Sequence, residues 1–203
     1  MPDTFDADKR IVHMTSENLW DWKFESFLEL SSERVIDACA VKLPDGSFKL
    51  WYKDECDSSH THAAVSSDLY RWRERGAEIT DCPHEGPNVF TFGGKHWLIA
   101  DCWDGLAVYE SDDFSRWKRK SGNLLRFPGK REYDGGRGAH ADVLVHKGRA
   151  YILYFTHPYS ERETVFVNPA ARTVLHLAEL TLRDGTLFCD RDKDLYADLS
   201  AEP

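Results

Sequence analysis

The chain has 203 residues, 41% of them hydrophobic, enough for one buried core or one large all-β unit. Its formal net charge is −9 with Lys and Arg scattered along the sequence, which argues against a nucleic-acid groove or an anionic membrane surface as partner. Five cysteines without a Cys-x-x-Cys pair signal neither a zinc site nor a disulfide framework, and they fit a reducing compartment. The acidic start MPDTFDADKR has no apolar stretch, and no run reaches membrane-spanning length, so a cytoplasmic location is expected. Seven Trp residues suit pleated sheets, where an exposed aromatic can stack on a sugar ring.

In chain order, residues 11–30 read as the outer strands of a partial unit. Residues 34–78 form the next unit: VIDACAVKL, a turn at Pro44-Asp45-Gly46, then FKLWYKD and THAAVS. Residues 83–125 repeat the plan with EGPNVFTF, a turn at Gly93-Gly94-Lys95, then HWLIAD and GLAVYES. Residues 138–191 repeat it again with HADVLVH, a turn at Lys147-Gly148-Arg149, then AYILYF and VLHLAELTL, with a last turn at Asp184-Gly185. Apolar alternation joined by short Gly-bearing turns is the signature of β-hairpins, because glycine supplies the positive φ such turns need.

A second repeat runs through these units. SENLWDW starts at Ser16, SSDLYRW at Ser66 and SDDFSRW at Ser111, so the phrase recurs after 50 and then 45 residues. That period belongs to propeller blades of four strands. The phrase reads as a turn into the fourth strand, its Ser and Asp bonding local backbone while Leu and Trp pack on the neighbouring sheet. The expected fold is therefore an all-β propeller in a single domain, incomplete, with about three and a half blades present.

Alignment of the repeats puts Asp37, Glu85 and His140 at or near the start of the first strand of successive blades. In a propeller that strand lines the central channel, and ionisable groups converging there suit general acid–base chemistry. Asp37 sits in an apolar run, where a carboxylate requires a specific partner. Glu85 precedes Gly86-Pro87, a turn able to fix its direction. Around them lie Lys53, Asp54 and Glu55 at the end of one second strand, and Asp101, Trp103 and Asp104 at the end of the next. Trp103 is a candidate for sugar stacking. Arg137 and Asp142 flank His140; Asp142 is expected on the same face, salt-bridged to Arg137.

The isolated Asp37, the phrase HEGPNVF before a glycine turn, and GRGAHADV together resemble glycoside hydrolase family 43 and its five-bladed propeller relatives, family 32 among them. The three Ser-x-(Asn/Asp)-(Leu/Phe)-x-x-Trp phrases and KLWYKD fit the same group, over roughly residues 11 to 191. The resemblance implies Glu85 as the general acid and Asp37 as the carboxylate that orients it and adjusts its protonation. His140 matches a channel histidine associated with a central ion or water cluster. No cofactor or metal is expected; a central calcium ion near His140 is the one alternative that the resemblance leaves open. Lys53, Trp103, Asp104, Arg137 and His140 are candidate substrate-binding residues. The implied substrates are oligosaccharides of the arabinoside or xyloside type.

Inverting hydrolysis also needs a carboxylate base about 6.5–9.5 Å from the acid, with room for water between them. One period before Asp37 falls ahead of Met1, so the resemblance implies an N-terminally truncated member whose activity alone is in question. Asp3, Asp6 and Asp8 are the nearest substitutes in sequence. Alternatives are a carbohydrate-binding propeller without catalysis and a propeller serving as an interaction scaffold. An unclosed ring is further expected to self-associate through its open edges.

Overall fold

The computed structural model describes residues 9–157 and 173–200. Asp3, Asp6 and Asp8 lie outside the described residues. The described residues form strands and turns and no helix. β1 (Val12–Thr15) and β2 (Lys23–Phe27) pair antiparallel as a two-stranded sheet. β3 (Val35–Lys42), β4 (Phe48–Asp54), β5 (His60–Ser66) and β6 (Arg73–Ile79) follow as a meander, each strand hydrogen-bonded to the next. The plan recurs in β7 (Glu85–Phe92), β8 (Lys95–Asp101), β9 (Leu106–Ser111) and β10 (Lys118–Leu124). It recurs again in β11 (Ala139–His146), β12 (Arg149–Thr156), β13 (Val174–Arg183) and β14 (Thr186–Cys189). These are propeller blades: among the described residues, three of four strands and one of two. A closed ring needs at least four full blades, so the described part is an incomplete propeller.

The hairpins form where the glycines predict. Gly93 and Gly94 have φ of 59° and 76°, Lys147 and Gly148 of 48° and 72°, and Asp184 and Gly185 of 51° and 70°. Two successive positive φ values twist a tight turn in the same sense as its strands. The repeated phrase behaves as expected in its polar half. Ser66 Oγ accepts the N–H groups of Asp68 and Leu69, and Asp68 Oδ1 accepts those of Tyr70 and Arg71. Asp113 repeats this with Ser115 and Arg116, and Asn18 with Trp20 and Asp21. These bonds offset a left-handed backbone at Leu19, Leu69 and Phe114 (φ 60°, 68° and 57°), which costs about 1–2 kcal/mol for a residue with a Cβ.

The apolar half of the phrase departs from expectation in its first copy. Phe114 is buried at 5% exposure and Trp72 packs on a core, but Leu19 and Trp22 are 78% and 52% exposed. The sheet β1–β2 that flanks this copy has only two strands, of four and five residues.

The chain divides into two compact units, Met1–Pro87 and Asn88–Pro203, and β7 spans the boundary. In the first, Leu28, Val35, Leu50, Tyr52 and Ala64 form the core, with Ile11, Leu30 and Trp72 against it. In the second, Trp97, Ile99 and Val108 of β8 and β9 pack with Ile152, Tyr154 and Leu180 of β12 and β13. Burying each such side chain contributes about 1.5–3 kcal/mol. On the β11–β14 sheet the alternation leaves Leu153, Leu175 and Leu177 exposed, while Ile152, Tyr154 and Ala178 are buried.

Candidate functional site

Asp37 and His140 both sit at a β-bulge. Ile36 pairs with Lys53 and Cys39 with Trp51, so Asp37 and Ala38 together oppose Tyr52. Ala139 pairs with Phe155 and Asp142 with Leu153, so His140 and Ala141 oppose Tyr154. The extra residue bends the strand and is held at positive φ, 60° at Asp37 and 39° at His140. In β7 that conformation falls on Gly86, at 57°. Counted back from the hairpin turns at Leu43, Phe92 and His146, it is Gly86 that matches Asp37 and His140. Glu85 stands one position earlier.

In the first unit three of the sequence candidates meet. Asp37 Oδ2 accepts the backbone N–H of Gly86 at 3.0 Å, giving the carboxylate the partner that its apolar run required. Lys53 Nζ donates to Glu85 Oε2 at 3.1 Å and lies 3.9 Å from Glu55 Oε1. Lys53 is buried and Glu85 partly so. Glu55 in turn is bound by Lys9 at 2.9 Å and Arg34 at 3.1 Å. Burial opposes the Glu55 charge, yet those hydrogen bonds outweigh it and hold its carboxyl below the usual range. Asp54, at the end of β4, faces Ser31 (2.5 Å), Ser32 (2.8 Å) and the N–H of Cys56 (2.8 Å). It shapes the loop after β4.

The residue before Glu85 is anchored as well. His84 is fully buried; its Nδ1 lies 2.7 Å from the carbonyl of Cys82 and its Nε2 2.6 Å from Thr61 Oγ1. A carbonyl only accepts, so the neutral ring with its proton on Nδ1 satisfies both contacts. The His84 N–H donates to the Ser59 carbonyl at 3.1 Å. Glu85 is thus fixed from both sides, by His84 and by Gly86. HEGP contained both anchors, although the partners Thr61 and Asp37 are distant in sequence.

In the second unit Asp101 accepts the N–H of His140 at 2.9 Å and that of Trp103 at 2.8 Å. The His140 ring stacks on Phe155, centroids 6.5 Å apart. Trp103 is 51% exposed and left-handed at φ 57°. Asp104 lies between Arg126 Nε at 3.0 Å and Arg137 Nε at 3.2 Å. The expected salt bridge from Arg137 to Asp142 is not formed. The bulge at His140 breaks the alternation that was to put Asp142 on its face, and Asp142 instead accepts from Asn88 Nδ2 at 2.5 Å. Arg126 escaped the sequence reading because it sits outside every repeat. Among the described residues no group of three or more His, Cys, Asp or Glu side chains comes together that could hold a metal ion.

No family model matches the chain, and no curated protein matches its sequence. Solved structures do match it. A thermostable family-43 glycoside hydrolase aligns with 95% of this chain and 72% of its own, at 19% identity and a TM-score of 0.58. A xylan β-1,4-xylosidase from Bacillus halodurans aligns with 97% of this chain and 42% of its own, at 13% identity and a TM-score of 0.70. An exo-1,5-α-L-arabinanase from a bovine ruminal metagenomic library aligns with 91% and 70%, at 14% identity and a TM-score of 0.64. The chain thus spans from under half to under three quarters of the length of these structures. Its fold is that of the β-propeller glycoside hydrolases.

Proposed function

We propose that this chain is a glycoside-hydrolase-like protein acting on O-glycosidic bonds of arabinoside- or xyloside-type oligosaccharides, with Glu85 as proton donor and Asp37 as its positioning residue. The observation that carries the reading is the double anchoring of Glu85: Asp37 binds the N–H of Gly86 while buried His84 holds the other side. An acid in glycoside hydrolysis must meet the leaving-group oxygen within hydrogen-bond reach, so a fixed backbone on both sides serves it. Lys53 engages Oε2, which leaves Oε1 as the oxygen to carry the proton. Protonation of the leaving oxygen accompanies attack of water at the anomeric carbon, and a second carboxylate takes the water's proton. No described residue is assigned that second role. The named activities of the fold neighbours, on xylan and arabinan, support the substrate class.

One observation favours a second reading, sugar binding without turnover. Lys53 Nζ is ion-paired with Glu85 Oε2 at 3.1 Å, so the side chain proposed as proton donor is already engaged by a partner within the chain.

Wild-type protein and Glu85→Gln should be assayed on xylo- and arabino-oligosaccharides and on activated aryl glycosides. Glu85→Gln is expected to abolish cleavage of the oligosaccharides and to spare the aryl substrates, whose leaving groups need little protonation. Equal loss on both removes Glu85 as the acid. Oligosaccharide binding by a wild-type protein that cleaves neither substrate establishes the second reading.

A further inference from the structure

A second recognition feature lies in the second unit, where the turn after β8 meets the segment between β10 and β11. Asn123 Nδ2 donates to the Asp104 carbonyl at 2.9 Å. A Cβ on Gly105 would stand 2.4 Å from the Leu124 carbonyl oxygen, so only glycine admits that approach. The segment is also held from beneath. Arg191, almost fully buried, donates to the carbonyls of Phe127 (2.7 Å), Gly136 (3.1 Å) and Leu125 (3.4 Å) and is ion-paired with buried Asp134. Burial works against the Arg191 charge, but Asp134 outweighs it and raises its pKa further. A buried charge that ties three loop carbonyls builds a rigid scaffold, and what the scaffold presents is exposed. It presents Arg126, Phe127 and Arg137 beside Trp103 and Asp104.

The charges there do not balance. Two guanidinium groups share one carboxylate, each through its Nε. This leaves one net positive charge in a chain of net charge −9, and among the described residues the ion pairs of both arginines run through Nε, with the Nη groups on the open side for another acceptor. A planar guanidinium matches a carboxylate through two parallel hydrogen bonds, and exposed aromatic rings such as Trp103 and Phe127 stack on sugar faces.

We propose that Arg126 and Arg137 form a subsite for an acidic sugar, a uronate residue of an oligosaccharide, with Arg191 as its positioning residue. The proposal rests on the glycan-directed reading above, and it concerns binding rather than cleavage. The uronate carboxylate would be received by the Nη groups, in competition with Asp104 for the same two guanidinium groups.

The test uses calorimetry on the full chain carrying Glu85→Gln, so that failure of cleavage and failure of the subsite are read separately. The probes are a xylo-oligosaccharide bearing one glucuronate branch and the same oligosaccharide after carboxyl reduction. The acidic form should bind about 10-fold or more tightly, as one well-made charged contact allows. Arg126→Gln with Arg137→Gln should bring the two probes within about 3-fold, and Asp104→Asn should widen the preference by removing the competing carboxylate. The widened preference is a sign that a purely structural Asp104 would not produce. Equal affinity for the two probes, no binding of either, or a preference that survives the double substitution overturns the proposal.

Discussion

The carboxylate of Asp37 and the backbone N–H of Gly86 are 3.0 Å apart, so the residue after Glu85 hangs on a side chain of another sheet. Asp37 is also the bulged residue of β3, held at φ 60°. Asn accepts the same hydrogen bond and tolerates the same backbone, whereas Ala does neither. Asp37→Asn should cost less than about 1 kcal/mol, and Asp37→Ala about 2–3 kcal/mol from a buried N–H left unpaired plus left-handed strain. Urea unfolding of the two variants checks this; equal losses would mean that the bond to Gly86 contributes nothing.

Asp54 predicts an acid limit. Burial raises its pKa, but the hydroxyls of Ser31 and Ser32 and the N–H of Cys56 outweigh burial and leave it below its ordinary 3.8. A carboxyl depressed in the folded state contributes stability that is fully present above the unfolded value and is lost as pH falls through the folded one. Thermal stability should therefore decline on acidification below about pH 4. Asp54→Asn should lower stability at neutral pH and flatten that decline. An unchanged slope between pH 4 and pH 2 would remove Asp54 from the acid response.

Arg191 and Asp134 form a buried ion pair in the second unit, and Asp134 also accepts from the Tyr154 hydroxyl at 3.0 Å. Removing one partner strands the other's charge. Arg191→Met should cost about 3–5 kcal/mol, and Arg191→Met with Asp134→Asn less than the single change. A double-mutant cycle by denaturant unfolding measures the coupling, and strict additivity would show the pair to be uncoupled.

The cysteines should differ in reactivity. Burial pushes the Cys189 thiol up to about 12, so almost no thiolate is present near neutrality. Cys56 is exposed. Iodoacetamide at pH 8 should label Cys56 first and Cys189 only after unfolding, as followed by peptide mass spectrometry. Early labelling of Cys189 would mean that its strand opens in the native state.

What the sequence by itself determined is local. Glycine turns, period-2 alternation and the Ser-x-(Asn/Asp)-(Leu/Phe)-x-x-Trp phrase depend on neighbours a few residues away, and β3–β6, β7–β10 and β11–β14 lie close to where those patterns put them. The isolated Asp37 and the phrase HEGP were legible for the same reason. The bulges were not. A bulge is set by how many residues one strand offers against its partner, so Glu85 proved to be one step off the register of Asp37 and His140, and Asp142 left the face expected of it. Nor could the sequence pair Lys53 with Glu85, Arg137 with Asp104, or Arg191 with Asp134, which are separated by 32, 33 and 57 residues. Such ion pairs depend on which side chains tertiary packing brings within about 4 Å, because Coulomb attraction acts through space and leaves no period along the chain.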